Sequence, residues 1–168
     1  IRNKFECRKM LKLEESSYYV HFNIANLNHA VKRFQLAKET IKFVKKKIPN
    51  VHLHIVSGIE YADVPINVSA CDVTLLTSEN EGWPNSIKES LACNIPFVST
   101  DVSDLRQIVE KVDICRIAQP NAEDLSKNII SVLENKKKFS VREYVEHMNI
   151  DKTGKRIKKL YEETVNKK

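Results

Sequence analysis

Long apolar segments are missing from this sequence of 168 residues. No stretch approaches the roughly 20 consecutive apolar residues of a membrane-spanning helix, and none has the regions of a secretory signal peptide. The sequence is therefore not typical of a membrane-spanning or secreted protein, and we expect a cytoplasmic location. Its length suits one domain over residues 1–168. Because the sequence begins at Ile1 and not at Met, we expect it to be a piece of a longer protein.

Disulfide frameworks and metal-ligand spacings are also missing. The cysteines are widely spaced and form no C-x-x-C pair, which predicts reduced thiols at Cys7, Cys71, Cys93 and Cys115. His52 and His54 fall on one face of a predicted strand, but no cysteine or carboxylate joins them in a ligand spacing. A structural or surface role is favoured for these histidines, and we predict no metal site.

Basic residues outnumber acidic ones, giving a net charge of +6. The lysines and arginines cluster in runs at 45–47, 136–138 and 155–159. These runs have two interpretations: solvated helix ends, or a surface that attracts anionic lipid or a nucleotide diphosphate. The second would allow peripheral contact with the inner face of a membrane. Aromatic residues are not interleaved with the basic runs, so a nucleic-acid partner is not expected.

Short apolar strands alternate with helical patterns along the chain. The predicted strands cover residues 18–24, 51–56, 73–76, 97–99 and 114–117. Predicted helices begin near residues 5, 32, 63, 85, 104 and 121, and a helical tail begins at about residue 140. In the tail, Ser140 and Glu143 form a capping box, and Asp151 can cap the last helix. This alternation predicts an α/β fold with a doubly wound, Rossmann-like parallel sheet, whose ligands bind beyond the carboxyl ends of the strands.

One stretch, residues 78–96, combines a loop, a helix and a turn between two apolar runs. Pro84 and Asn85 are typical of a helix start. The unpaired N–H groups of such a start can bind an anion, and Gly82 lets a ligand approach the backbone. Glu81 and Glu89 lie on either side and can accept hydrogen bonds from sugar hydroxyls. The stretch therefore predicts an anion-binding site with a carboxylate on each side.

This stretch resembles the E-x7-E motif of retaining glycosyltransferases with the GT-B fold, specifically glycosyltransferase family four (glycosyl transferases group 1). The matching residues follow the family order: Ser78, Glu81-Gly82-Trp83-Pro84, Glu89, Leu91-Ala92-Cys93, Pro96 and Val98. Two glutamates at this spacing would be weak support alone, whereas the other residues in register make the match specific. The resemblance implies the C-terminal, donor-binding half of a GT-B enzyme, whose N-terminal, acceptor-binding half lies outside this sequence.

The resemblance also implies the roles of the site residues. Glu89 would accept hydrogen bonds from the ribose hydroxyls, and Glu81 would be the catalytic residue near the reacting carbon of the sugar. Donor contacts, mostly from backbone N–H groups, would come from Gly82, Trp83, Pro84, Asn85 and Ser86. Lys32 matches a family lysine that holds the diphosphate, and Arg33 would stand in for a family arginine. No metal or other cofactor is implied, because these cations would neutralise the leaving diphosphate.

Each of these residues also has a structural interpretation. Glu89 could be a solvated helix glutamate, and Glu79 could take the role given to Glu81. Trp83 could pack against the domain as well as contact ligand. The two cations before the second helix could form only a solvated helical turn.

The sequence departs from the family pattern at three places. The family arginine is missing, with Asn26 or Asn28 in its neighbourhood. Asn94 occupies the position of a glycine, and asparagine tolerates the left-handed backbone conformation. Ser103 and Asp104 replace a pair of glycines, which predicts an altered pocket rim near the donor sugar.

The predicted function is the binding of a nucleoside-diphosphate sugar and, with the N-terminal half, transfer of the sugar with retention to a polysaccharide or lipid-linked acceptor. The chain alone is expected to bind donor but to transfer little. Three alternatives remain: a non-catalytic nucleotide-binding module, a GT-B-like sugar-nucleotide epimerase, and a basic protein that binds anionic surfaces.

Overall fold

The computed structural model describes residues 2–25 and 30–165, and the elements named below belong to these ranges. The strands are β1 (Tyr18–Asn23), β2 (Val51–Val56), β3 (Val73–Leu76), β4 (Phe97–Thr100) and β5 (Arg116–Ala118). The α-helices are α1 (Lys4–Met10), α2 (Phe34–Lys45), α3 (Val64–Ser69), α4 (Asn85–Ala92), α5 (Arg106–Val109), α6 (Ala122–Leu133) and α7 (Ile150–Val165). Single 3-10 turns occupy Ala30–Lys32, Tyr61–Asp63, Arg142–Tyr144 and Glu146–Met148.

The five strands form one parallel sheet in the order β2-β1-β3-β4-β5. In the pairing of β1 with β3, His21 lies opposite Thr74. β2 lies on one side of β1, and β3, β4 and β5 follow in turn on the other side. This arrangement confirms the predicted α/β, doubly wound sheet, and it places the point where the strand order reverses between β1 and β3.

Helices cover both faces of the sheet. On one face α2 packs against α6, and the ring of Phe22 in β1 lies 5.7 Å from that of Phe34 in α2. On the other face α3 packs against α4, which contacts β3 and β4. Side chains along a strand alternate between the two faces, so His21 points away from Phe22 and towards α4. The buried core of apolar side chains therefore lies in two layers, one on each side of the sheet.

Several predicted elements differ from the structure at their ends. β2 and β3 have the predicted bounds, whereas β5 begins two residues later than predicted. The helix predicted from Lys32 is divided into a 3-10 turn and α2 by Arg33, whose φ of 48° is left-handed. At the start of α3, Asp63 is the N-cap residue, a position where aspartate is favoured, but its side chain accepts no capping hydrogen bond among the described residues.

The capping box predicted at Ser140 and Glu143 is wrong. No side chain caps the turn at Arg142–Tyr144, and no α-helix forms there. The N–H of Val141 instead donates to Asn94 Oδ1 at 2.9 Å, because this segment packs on the end of α4. The last helix begins at Ile150, and Asn149 Oδ1 accepts from the Lys152 N–H at its start. Asn149 therefore caps this helix in place of the predicted Asp151.

Within residues 2–25 and 30–165, none of the helices is both long and apolar enough to cross a bilayer. All four cysteines are free, and Cys7, Cys71 and Cys115 are buried.

Candidate active site

Two loops meet where the strand order reverses. One follows β1 and includes the turn Ala30–Lys32, and the other follows β3 and precedes α4. Because β1 and β3 are parallel neighbours, their carboxyl ends lie side by side. In doubly wound sheets this is the crevice where ligands bind. Asn26 and Asn28, which the sequence placed beside the missing family arginine, lie outside the described residues.

An ion pair joins the two loops at their predicted functional residues. Lys32 Nζ lies 2.6 Å from Glu81 Oε1, and Ser78 Oγ donates to the same oxygen at 2.7 Å. The side chains of Lys32 and Glu81 are 26% and 17% exposed, so water screens this pair less than a surface pair. The structure therefore brings together the lysine assigned to the diphosphate and the glutamate assigned to the sugar.

A second set of contacts runs beside the first. Arg33 Nη2 lies 3.1 Å from Glu79 Oε1, and the Glu79 N–H donates to the Val31 carbonyl at 2.9 Å. The hydroxyl of Thr77 donates to the Lys32 carbonyl at 2.6 Å. The predicted rivals Glu79 and Glu81 thus have different partners, and Glu79, 66% exposed, lies on the outer side of the crevice.

Within the described ranges, no side chain caps the start of α4. Pro84 is the N-cap residue, and a proline side chain has no oxygen that could accept from the first N–H groups. Ser86 Oγ is buried and has no hydrogen-bond partner among the described residues. Gly82 is exposed, with no atom within 4 Å of the place where a Cβ would lie. This segment therefore retains backbone donors and open space for a ligand.

Glu89 lines a cleft of about 640 Å³ between α4, the turn at Tyr61 and the segment that leads into α7. Its other lining residues include Asn85, Lys88 and Arg142. Glu89 Oε2 is buried without a hydrogen-bond partner in the described part of the chain. Burial raises the pKa of Glu89, and the Lys88 ammonium opposes this shift. A carboxylate that lines a cleft and has an oxygen without a partner can accept hydrogen bonds from the hydroxyl groups of a ligand.

Trp83 packs as a half-buried side chain against the core, and Lys88 Nζ lies 5.3 Å from its ring centroid. This supports the packing interpretation of the Trp83 side chain. Sequence reasoning did not identify Tyr61 and Arg142, although both line the cleft with Glu89. Tyr61 is 82% exposed. Its sequence signal is its position as an aromatic residue three places after Gly58.

Two of the three residues that replace family glycines have left-handed backbone. Asn94 has a φ of 61° and Ser103 a φ of 57°. Asn94 also uses its side chain, whose oxygen accepts from Val141. Among the described residues, no group of three or more His, Cys, Asp or Glu side chains could hold a metal ion.

Comparison with known proteins places the chain in a family. No curated protein sequence matches it significantly. Its structure is similar to the sucrose-phosphate synthase of Thermosynechococcus elongatus (TM-score 0.79, 17% identity), covering 99% of this chain and 52% of that one. It is also similar to Anabaena HepE in complex with UDP and glucose (TM-score 0.72, 18% identity), covering 97% of this chain and 51% of that one.

A third similar structure is the C-terminal domain of LpcC, a glycosyl transferase group 1 family protein from Francisella tularensis. Its TM-score is 0.66 at 14% identity, covering 86% of this chain and 88% of that domain. The chain spans about half the length of the first two proteins, and at these identities the likeness shows the fold. The sequence pattern of the family described as glycosyl transferases group 1 matches residues 35–149, which is more than half of the chain. The chain therefore belongs to the group 1 glycosyltransferases.

Proposed function

We propose that this chain is the donor-binding domain of a retaining glycosyltransferase and binds a nucleoside-diphosphate sugar at the carboxyl ends of β1 and β3. The observation that carries the proposal is the meeting of Lys32, Ser78 and Glu81 in one crevice. Glu89 supports the proposal, because it lines the cleft beside α4 and has a buried carboxylate oxygen without a partner among the described residues. The solved structure of HepE with UDP and glucose gives a related fold with such ligands.

In this proposal each residue has one task. Glu89 accepts hydrogen bonds from the ribose hydroxyls, and the first N–H groups of α4 contact the sugar and phosphate. Lys32 neutralises the leaving diphosphate with help from Arg33, so the chain needs neither a metal nor another cofactor. Glu81 orients the sugar and stabilises positive charge at its reacting carbon in the transition state.

The exposed ring of Tyr61 lines the same cleft as Glu89. Aromatic rings stack on nucleobases, at about 1–3 kcal/mol per base in single-stranded nucleic acid complexes. We therefore place the base on Tyr61 and leave its identity open. Replacing Tyr61 by Ala weakens binding of every nucleoside diphosphate, whereas Tyr61→Phe retains it.

The transfer reaction requires the N-terminal domain, which we propose as the intramolecular partner that binds a polysaccharide or lipid-linked acceptor. The exposed apolar side chains of α7 suit contact with that domain. They include Ile157, Leu160 and Tyr161. On its own, the chain binds donor and transfers little sugar.

We further propose that the protein is cytoplasmic and contacts an anionic membrane through a basic cleft at the edge where the strands begin. This cleft of about 490 Å³ is lined by Lys47, Arg116, Lys127 and Lys137, together with Asp113 and Glu134. Vesicles containing phosphatidylglycerol should retain the protein in sedimentation, and those of phosphatidylcholine should not. Lys137→Glu should lower that retention.

Calorimetric titration of UDP, GDP, ADP and their sugar conjugates into the chain tests donor binding. At least one of these ligands should bind with and without EDTA, and Glu89→Gln should weaken it. Lys127→Met, on α6 at the opposite edge, is the matched surface control and should leave affinity unchanged. Absence of binding by all of these ligands would contradict the proposal. Release of an altered sugar by the full-length protein without acceptor would instead indicate the epimerase alternative.

A further inference from the structure

Three polar side chains lie in the apolar layer between the sheet and α4. His21 in β1, Thr74 in β3 and Ser90 in α4 are all fully buried. His21 Nδ1 lies 3.2 Å from Thr74 Oγ1, which lies 2.5 Å from Ser90 Oγ. Ser90 Oγ in turn lies 2.6 Å from the carbonyl oxygen of Ser86. The three side chains and this carbonyl form one continuous hydrogen-bond chain from the sheet to the first turn of α4.

The direction of every hydrogen bond in this chain follows from its last member. A carbonyl oxygen only accepts, so the single proton of Ser90 Oγ is donated to Ser86. The Thr74 hydroxyl must therefore donate to Ser90, which leaves it able only to accept from His21. His21 Nδ1 must then carry a proton, and Nε2 is an unprotonated nitrogen with no partner among the described residues.

His21 stays neutral in this environment. Burial, together with the neighbouring His54, lowers the pKa of His21 to about 3. Which imidazole nitrogen holds the proton is set by the hydrogen bond it makes, here with Thr74. A buried polar chain costs free energy unless its groups are paired, so its members restrict each other's positions.

The chain of hydrogen bonds ends beside the predicted ligand contacts. Ser90 follows Glu89 directly, and Ser86 lies in the first turn of α4. A shift of α4 along the sheet would break the bond between Thr74 and Ser90 and would move the Glu89 carboxylate with it. Apolar contacts alone are non-directional and hold such a position less strictly.

We propose that His21, Thr74 and Ser90 are positioning residues: a directional hydrogen-bond chain from β1 through β3 that fixes α4, and with it Glu89, in register for the nucleotide. The part that concerns the nucleotide rests on the proposed function. The hydrogen-bond chain itself is a property of the folded domain, and its presence can be measured without ligand.

The first test is the tautomer of His21. Long-range 1H–15N NMR spectra of the 15N-labelled protein should show His21 as the neutral Nδ1–H form between pH 5 and 8 (about one unit or more above its lowered pKa). A protonated Nε2, or titration of His21 within that range, would overturn the proposal.

The second test compares Thr74→Val, which removes the hydroxyl at nearly constant shape, with Thr74→Ser, which keeps it. Leu75→Val on the same strand is the control, because it lowers stability and leaves the hydrogen-bond chain intact. The pKa of Glu89, followed by NMR at its carboxyl carbon, should move towards the ordinary value of a glutamate in Thr74→Val. It should stay in place in the other two variants. Nucleotide affinity should fall about two- to tenfold in Thr74→Val, the range expected for one hydrogen bond.

The results separate the two proposals. The positioning role would be overturned if the titration midpoint of Glu89 and the nucleotide affinity changed equally in Thr74→Val and Leu75→Val. It would also be overturned if neither changed in Thr74→Val. If the wild-type chain binds no nucleotide, the proposed function fails, while the Glu89 midpoint still decides whether this hydrogen-bond chain positions α4.

Discussion

Lys32 Nζ lies 2.6 Å from Glu81 Oε1, so the lysine predicted to hold the diphosphate is paired with the predicted catalytic carboxylate. A diphosphate that binds Lys32 must share this cation with Glu81 or displace it. Glu81 therefore competes with the phosphate groups for the same partner, and its negative charge also repels them.

Substitutions at the two ends of this pair should change nucleotide binding in opposite directions. Lys32→Met should weaken binding of the nucleoside diphosphate, because it removes the cation. Glu81→Gln should strengthen it by about 1 kcal/mol, roughly fivefold, because Lys32 is released and the repulsion is lost. In the full-length protein, Glu81→Gln should nevertheless abolish transfer. Calorimetry of the chain and a transfer assay of the full-length protein give the two readouts.

The pair Arg33 and Glu79 provides the matched control, because it joins the same loops at a more exposed place. Glu79→Gln should change affinity less than Glu81→Gln and should leave transfer active. A larger effect at Glu79 would assign the catalytic role to that residue instead.

Glu89→Gln should stabilise the domain at neutral pH while it weakens donor binding. Burial raises the pKa of Glu89, so the native state binds this proton more tightly than the unfolded chain does. Wild-type stability therefore falls as pH rises from the ordinary pKa through the raised one. Glu89→Gln does not lose stability in this way. The difference in unfolding free energy between the variant and the wild type should therefore grow as pH rises from the ordinary to the raised pKa, and stay constant above it. Urea unfolding at a series of pH values measures it, and a constant difference at all pH values would contradict the assignment.

Gly82→Ala should leave the fold intact and weaken donor binding. The added methyl meets nothing within 4 Å, and Gly82 does not have a left-handed φ. Loss of backbone freedom in the unfolded chain should stabilise the variant by about 0.4–1 kcal/mol. Donor affinity should fall on the order of tenfold if the ligand approaches this backbone. Gly154→Ala, in open space on α7, is the control that should gain stability and keep its affinity.

Asn94 contributes both backbone conformation and a side-chain hydrogen bond, and two variants separate these effects. Asn94→Gly keeps the left-handed conformation but loses the bond to Val141, at a cost of about 1 kcal/mol. Asn94→Ala loses this hydrogen bond and also the tolerance of the left-handed conformation, so it should lower the free energy of unfolding by about 1 kcal/mol more. Chemical unfolding of the three proteins measures the order, and equal stability of the alanine and glycine variants would contradict it.

Much of the fold follows from local sequence. β2 and β3 begin and end where their apolar runs do, and α4 begins after Pro84 as its start signals predict. The structure of the segment after residue 140 could not be predicted from its local sequence. Its capping pattern is local, whereas its structure depends on Asn94, which is 47 residues away in the sequence.

The residues of the candidate site could be proposed from the sequence, but the contacts between them could not. The motif identified Glu81 and Glu89, and the resemblance identified Lys32. The ion pair between Lys32 and Glu81 depends on β1 and β3 being neighbours, and apolar patterning does not determine strand order. Tyr61 and Arg142 join the cleft only through the packing of distant segments around α4.

The charges of Lys32, Arg33, Glu79 and Glu81 sum to zero in the two joined loops. Among the described residues of these loops, an arriving anion replaces the carboxylate partners of Lys32 and Arg33. Added salt weakens the attraction for phosphate, but it also weakens the competing internal ion pairs. Donor affinity should therefore depend only weakly on ionic strength, and the domain would keep its substrate over a wide range of cellular salt concentrations.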